Sequence, residues 1–389
     1  MTTAPAMITQ PRLMMIGGGA SGQVADVMGK FGVQRPLIVT DGFMRDSGML
    51  ARITDVLDES GIVWQAFADT VPDPTTEVID TGAALLNDGD FDSMIALGGG
   101  SPMDTAKAMG VLATHGGIMR DYKVPTQVDR TDYPLIAIPT TAGTGSEVTR
   151  FTVITDTGTD EKMLCAGLGY VPTCALVDYM LTLTMPLRLT ADTGIDTLTH
   201  AIEAYVSKKQ NPYSDAMALS CVQLVSNNIR TACREPDNHP AREAMMLAAM
   251  QGGMAFSNAS VCLVHGMSRP IGAHFHVPHG LSNAMLLPAI TAFSAPDALD
   301  RYADCARAMG IADAEVGNQA AVAALITELR TLNEELEVPT PKGYGIDEEK
   351  YFNLLPTMAQ QALDSGSPGN NPRVPTPDQI VELYKEAWA

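Results

Sequence analysis

Through the first half of the chain, short apolar runs alternate with stretches whose apolar residues recur every three or four positions. The runs at 35–41 (RPLIVTD), 61–67 (GIVWQAF), 91–101 (FDSMIALGGGS) and 133–140 (YPLIAIPT) predict strands. Between them, Met49–Ser60, Pro74–Asn87 and Pro102–His115 carry helical spacing. Strands that are apolar on nearly every position, each followed by a helix, predict a parallel sheet covered on both faces. From about Thr190 the texture changes. Segments 190–207, 214–232, 239–260 and 317–336 repeat apolar residues at helical spacing, with few β-branched runs. The pattern predicts an α/β domain over residues 1–187, Rossmann-like with a parallel sheet, and an all-α domain over 188–389, divided near TMPLRLT at 184–190. The stretch 364–379 (DSGSPGNNPRVPTPDQ) reads as a loop before a last helix.

Composition narrows the partners. The 389 residues carry 25 Lys+Arg against 45 Asp+Glu, a formal net charge of −20. Such a surface repels nucleic acid and anionic membrane, so an anionic ligand has to be held by local backbone N–H groups and a few placed cations. Cys165, Cys174, Cys221, Cys233, Cys262 and Cys305 are dispersed without a CxxC, which predicts reduced thiols filling the core of a cytoplasmic protein. The N-terminal MTTAPAMITQPRLMMIGGG lacks the basic start of a signal peptide, and no apolar run approaches a membrane span of about 20 residues. The expected partner is a small molecule.

Two glycine clusters compete for a dinucleotide. Gly17–Gly22 (GGGASG) fits GxGxxG after the apolar LMMI, and Asp41 ends the next strand 19 residues after Gly22. Gly98, Gly99, Gly100 and Ser101 also follow a strand, with Pro102 at a favoured first helical position and Asp104 expected in the first turn. Bare N–H groups at such a helix start can close on a pyrophosphate. A third segment, IPTTAGTGSEVTRFTVITD at 138–156, offers the hydroxyls of Thr140, Thr141 and Thr144 beside two glycines.

Metal chemistry enters through the histidines. Four of the seven lie in LVHGMSRPIGAHFHVPHG at 263–280. Upstream, DTGIDTLTHAIEAY sets Asp196 and His200 at i and i+4, one face of a helix and suited to one ion. His265 and His279 are available from other segments to complete one carboxylate and three imidazoles. A set without thiolate suits Fe(II), Zn(II), Mn(II) or Ni(II).

Taken together, GGGSPMDTAKA, PTTAGTGSEVTRFTVITD, DTGIDTLTHAIEAY and HGMSRPIGAHFHVPHG, in this order, resemble the iron-containing (group III) alcohol dehydrogenase family over nearly the whole chain. The resemblance implies a dehydroquinate synthase-like fold: a dinucleotide-binding α/β domain and a helical metal- and substrate-binding domain, with the active site in the cleft between. It implies Asp196, His200, His265 and His279 as ligands of Fe(2+), with Zn(2+) as the alternative. It makes Gly98–Ser101 the phosphate loop and Gly17–Gly22 a plain strand-to-helix turn. Asp41 would bond the ribose hydroxyls and favour NAD over NADP, while Asp73, Thr140, Thr141, Thr149, Phe151, Lys162 and Leu181 match positions lining the cofactor cleft. The implied enzyme interconverts primary or secondary alcohols with aldehydes or ketones, through a metal-bound alkoxide and hydride transfer to nicotinamide C4. Relatives are commonly dimers or larger homo-oligomers.

One position departs from the family. Many relatives carry a proton-relaying His four residues after the first ligand of HGMSR, where this chain has Arg269. Arginine stays protonated and cannot act as a base. The relay then passes to water, a ribose hydroxyl, or His276 ahead of His274. Arg269 itself reads as a core-edge residue paired with an acid, or else as the grip on a substrate carboxylate. The latter gives an alternative on the same scaffold, a dehydrogenase or reductase of an anionic hydroxy acid or semialdehyde. A reading from another class is a nucleotide-independent metal hydrolase, against which the glycine loop and Asp41 speak.

Overall fold

The computed structural model describes residues 5–159 and 161–389. Contacts divide the chain into two compact units, Thr9–Met185 and one built on Pro186–Ala389.

Among the described residues the first unit holds eight strands: β1 (Leu13–Ile16), β2 (Pro36–Asp41), β3 (Gln65–Thr70), β4 (Ser93–Gly98), β5 (Leu135–Pro139), β6 (Phe151–Asp156), β7 (Glu161–Ala166) and β8 (Cys174–Val177). Six form one sheet in the order β1-β8-β5-β4-β2-β3, every neighbouring pair parallel. The continuous apolar runs are explained by their two faces. Leu37, Val39, Met94, Ala96, Leu135 and Ala137 pack on one side with Ile79, Leu86 and Met109. Their alternates Ile38, Ile95, Leu97, Ile136 and Ile138 pack on the other with Val27, Ile53 and Leu57. Side chains of a strand alternate between faces, so a sheet covered twice calls for apolar residues on both.

The chain leaves β2 to one side for β3 and returns on the other side as β4. Strand order therefore reverses between β2 and β4, and the carboxyl ends of strands at such a point form a ligand crevice. Asp41, Gly98 and Pro139 are the last residues of β2, β4 and β5, at this edge.

One local expectation is corrected. The helix after β4 spans Gly100–His115, two residues longer at its start than the sequence pattern predicts. Pro102 is thus its third residue, tolerated because first-turn N–H groups need no helical acceptor. Asp104 falls beyond the first turn, away from the dipole position expected for it. The donor-rich segment 138–156 contains a further strand. Its end, FTVITD, is β6, paired antiparallel with β7 in a hairpin separate from the main sheet.

The second unit is helical. Leu187–Val206 is its central helix, buried at every position from Thr190 to Val206 except Thr193. Pro212–Arg234, His239–Ala259 and His279–Ser294 pack against it. A helix enclosed all round has to give each polar side chain a partner. This constraint sets up the cluster described below. The stretch 364–379 contains a 3₁₀ turn, Ser367–Asn370, pinned by Asn370 to Ser260 Oγ (3.0 Å) and by Asn371 to Ser294 Oγ (2.9 Å). All six cysteines are free thiols in the core, matching the sequence reading. Among the described residues no single helix is long and apolar enough to cross a membrane.

Candidate functional site

The two glycine clusters differ in what already occupies them. At Gly17–Gly22 the backbone N–H groups of Gly19 and Ser21 donate to the Asp178 carboxylate at 3.1 and 3.2 Å, and the Ser21 hydroxyl at 2.6 Å. An internal anion fills this turn. Gly99, the N-cap of the helix Gly100–His115, makes no side-chain cap bond, which leaves that helix start without the capping oxygen that Asp178 supplies at the other cluster. Glycine is required here by space. At Gly98, φ is +146° and an added Cβ would lie 2.5 Å from Pro102. Beside it, Cβ atoms on Gly99 and Gly100 would approach Thr141 at 3.3 Å and Thr144 at 3.0 Å.

Other predicted cofactor residues divide into open and committed groups. Thr140 bonds its N–H to the Gly98 carbonyl (2.9 Å), and its buried hydroxyl has no hydrogen-bond partner among the described residues. A buried unpaired hydroxyl at a sheet's carboxyl edge fits an incoming polar ligand. Asp41 caps the next helix through Oδ1, accepting from Met44 N–H at 2.9 Å. Lys162 pairs with Asp73 at 2.8 Å, so the cation expected to meet the cofactor already has an acidic partner. Leu181 lies in the core at 2% exposure.

Asp104 and Thr149 belong to a knot beneath the loop, centred on Lys107. The Lys107 ammonium, 2% exposed, donates to Ser146 O and Oγ, Thr149 O and Oγ1, and the Phe151 carbonyl, all within 2.6–3.1 Å. Asp104 accepts from Ser146 Oγ (2.9 Å) and Val153 N–H (3.0 Å). Burial pushes the Lys107 pKa down to about 8, opposed by Asp104 and Glu147. Burial likewise raises Glu147 to about 7, with Lys107 as a weaker opposing charge. The knot fastens residues 146–151 to the helix behind the glycine loop. Sequence reasoning passed over Lys107, which stands in the quoted GGGSPMDTAKA.

The second unit brings Asp196, His200, His265 and His279 together, one donor atom from each lying within 4.8 Å of the others. Asp196 Oδ1 is 3.8, 3.5 and 3.9 Å from the Nε2 atoms of His200, His265 and His279. Asp196 and His200 share a face of the central helix, and each of the other two stands in the first turn of its own helix, Leu263–Phe275 and His279–Ser294. Helix N-termini disfavour imidazolium, which suits neutral ligands. Burial opposes ionisation of Asp196, but the surrounding imidazoles outweigh it and hold its carboxyl well below the usual range. Burial would lower His265, and the Asp196 and Glu203 carboxylates beside it overcome that.

Two groups around this cluster escaped the sequence reading. Glu203 accepts from His265 Nδ1 at 2.7 Å and from the backbone N–H groups of Cys262 (2.9 Å) and Val264 (2.6 Å). With its proton on Nδ1, His265 keeps the Nε2 lone pair for an ion. One carboxylate and three imidazole nitrogens, one fixed in tautomer, form a donor set that fits a borderline divalent ion. Glu203 lies seven residues after Asp196 and three after His200, a spacing that could have flagged it. Asn283, four residues after His279, turns its amide into the same cluster.

The remaining candidates lie outside the four. His276 is exposed at the C-cap of its helix with φ 55°, and His274 bonds Gln361 Oε1 at 2.8 Å. Arg269 contradicts the expected pairing with an acid. Its guanidinium donates to the Ser367 hydroxyl at 3.0 Å, and Glu203 acts on it as a nearby charge.

The sequence matches two family profiles, one described as iron-containing alcohol dehydrogenase over residues 11–179, the other as Fe-containing alcohol dehydrogenase family, C-terminal, over residues 190–388. It is 36% identical over 375 residues to the lactaldehyde reductase of Escherichia coli (strain K12), covering 96% of this chain and 97% of that one. To the NAD-dependent methanol dehydrogenase of Bacillus methanolicus it is 34% identical over 380 residues, covering 97% and 98%. The solved structure of a 1,3-propanediol oxidoreductase superposes with a TM-score of 0.94 at 32% identity, covering 99% of this chain and 100% of that one.

Glu147 yields a pH prediction. Its pKa in the folded protein, about 7, lies above the ordinary 4.5, so between these values the folded chain keeps a proton that the unfolded chain has lost. Stability contributed by the protonated acid is complete below 4.5 and lost as pH rises through 7. Glu147→Gln cannot titrate. In urea unfolding, the variant should gain on the wild type between pH 4.5 and 7.5, by on the order of 2 kcal/mol. Parallel pH profiles would refute the assignment.

Proposed function

The chain belongs to the iron-containing alcohol dehydrogenase family, and from that premise we propose that it interconverts a small alcohol and its aldehyde or ketone with NAD(H) and one divalent ion, iron(II) ahead of zinc(II). The observation carrying this reading is the convergence of Asp196, His200, His265 and His279 within 4.8 Å. We assign these four as the ligands. When bound, the ion supplies a Lewis acid for the substrate oxygen, and the nicotinamide accepts or returns hydride.

The chain's own residues prepare both. Glu203 keeps the His265 lone pair available, and the half-exposed His279, at 45% side-chain exposure, leaves one side of the cluster open to substrate. In the α/β unit, the N–H groups of Gly98–Ser101 and the unpaired Thr140 hydroxyl would take the pyrophosphate. Asp41 would take the ribose. Asp73, Thr141, Thr144, Phe151 and Lys162 would wall the nucleotide, while Asp104, Thr149 and Leu181 would support that wall from behind. Arg269 cannot serve as base, so the proton passes to solvent or to an exposed imidazole such as His276.

A second reading, on an anionic substrate, is favoured by Arg269. It lies one helical turn after His265, and its hydrogen-bond partner is a neutral hydroxyl. Glu203 acts on this guanidinium as a charge without a hydrogen bond to it among the described residues, and a partly buried guanidinium so placed suits a substrate bringing its own carboxylate, as a hydroxy acid or semialdehyde does.

Three measurements test these readings. Metal-loaded protein with NAD and short alcohols should raise absorbance at 340 nm. Stripping the ion with a chelator should abolish that rise and Fe(II) or Zn(II) should restore it; activity indifferent to the ion would refute the metal assignment. Asp41→Ser keeps the helix cap but removes the charge, and should improve NADP use relative to NAD by about tenfold; an unchanged ratio would remove Asp41 from the ribose. In Arg269→Met, a four-carbon aldehyde ending in a carboxylate should lose about 10–100-fold in kcat/KM, the size of one lost charged hydrogen bond. Butanal should lose little, and equal losses on both would eliminate the anionic reading.

A further inference from the structure

Asn283 is fully buried in the helix His279–Ser294, one turn after His279. Its Nδ2 lies 2.7 Å from Asp196 Oδ1 and 3.2 Å from the Nε2 atoms of both His265 and His279. The neighbours decide which end of the amide faces inward. Asp196 is an anion, and His265 presents its lone-pair nitrogen because its Nδ1 proton is given to Glu203. An amide oxygen turned this way would meet acceptors, whereas the N–H₂ group meets partners. The unfavourable consequence falls on the opposite end, where Asn283 Oδ1 is buried with no hydrogen bond among the described residues. An orphaned carbonyl in a dry interior is destabilising. A leucine of similar size would avoid it, so packing alone does not account for asparagine here.

The oxygen that Asn283 holds is the one facing the three imidazoles, Asp196 Oδ1 at 3.5–3.9 Å from their Nε2 atoms. That oxygen has two lone pairs. The amide takes one and leaves the other for an ion, which favours ligation by a single carboxylate oxygen.

We infer that Asn283 is a positioning residue of the metal centre, acting through Asp196. Its N–H₂ group aims the ligand oxygen, and before an ion arrives it is a donor shared by Asp196 Oδ1 and the Nε2 atoms of His265 and His279. The inference rests on the assignment of the four ligands proposed above.

The test uses full-length protein, stripped and reloaded anaerobically with Co(II) as a spectroscopic probe. Asn283→Leu removes the donor at similar volume. It should weaken Co(II) binding by about 10–100-fold in chelator competition, the range for groups that orient a ligand, and alter the visible absorption bands of the bound ion. Asn283→Asp sets a second carboxylate against Asp196. Its metal-free form should melt lower than the wild type, and Co(II) should raise its Tm by more than it raises that of the wild type. Should Asn283→Leu fail to fold, Asn283→Ala carries the same comparison. A donorless variant that binds Co(II) with unchanged affinity and spectrum overturns the positioning role while leaving the ligand assignment standing. A wild type that binds no Co(II) overturns both.

Discussion

A single buried carboxylate, Glu203, joins the architecture of the helical unit to its chemistry. It accepts the backbone N–H groups of Cys262 and Val264 at the start of the helix Leu263–Phe275, and the Nδ1 proton of His265 in that helix's first turn. The same three bonds therefore fix where the helix begins, how it meets the central helix and which nitrogen of His265 points at Asp196. A carboxylate at a helix N-terminus is stabilised by the exposed N–H groups and the dipole, which offsets the expense of burying it. Without Glu203 the imidazole would be free to change tautomer and rotate, and the donor cluster would lose its one fixed lone pair.

The α/β unit solves a related problem with the opposite charge. Lys107 spends its ammonium group on hydroxyls and carbonyls of residues 146–151. The glycine loop in front of it stays free of side-chain caps. Rigid support behind and bare N–H groups ahead is an arrangement that can receive an anion without first rearranging. The rival cluster at Gly17–Gly22 shows the converse, since Asp178 occupies its donors permanently.

Much of this was legible in the chain. The parallel sheet followed from strands apolar on both faces, and the pairing of Asp196 with His200 from helical spacing. Other features were hidden for physical reasons. β6 was obscured by the glycines and hydroxyls preceding it, although Phe151–Asp156 is β-branched at most positions. Glu203, Asn283 and Lys107 were overlooked because each reads as an ordinary polar residue on a helix, and only burial reveals that it needs a partner. Arg269 misled in the other direction, since an acid partner is the usual outcome for a partly buried arginine, whereas here the Ser367 hydroxyl takes the hydrogen bond and Glu203, whose charge it feels, is bonded to His265. The choice between two glycine clusters could not be made from spacing, because the deciding carboxylate, Asp178, is more than 150 residues away in the chain.

Uneven exposure within the donor cluster has a consequence for which element resides there. Asp196, His200 and His265 are sealed, whereas the His279 side chain is 45% exposed. On the proposed reading, an ion can arrive or escape by swinging that one ring aside, without unfolding the other three donors. Ligands of this type rank first-row metals by the general order of complex stability and do not themselves favour iron. A centre with such a door would exchange with its surroundings, so its occupant would be set by the ions supplied there.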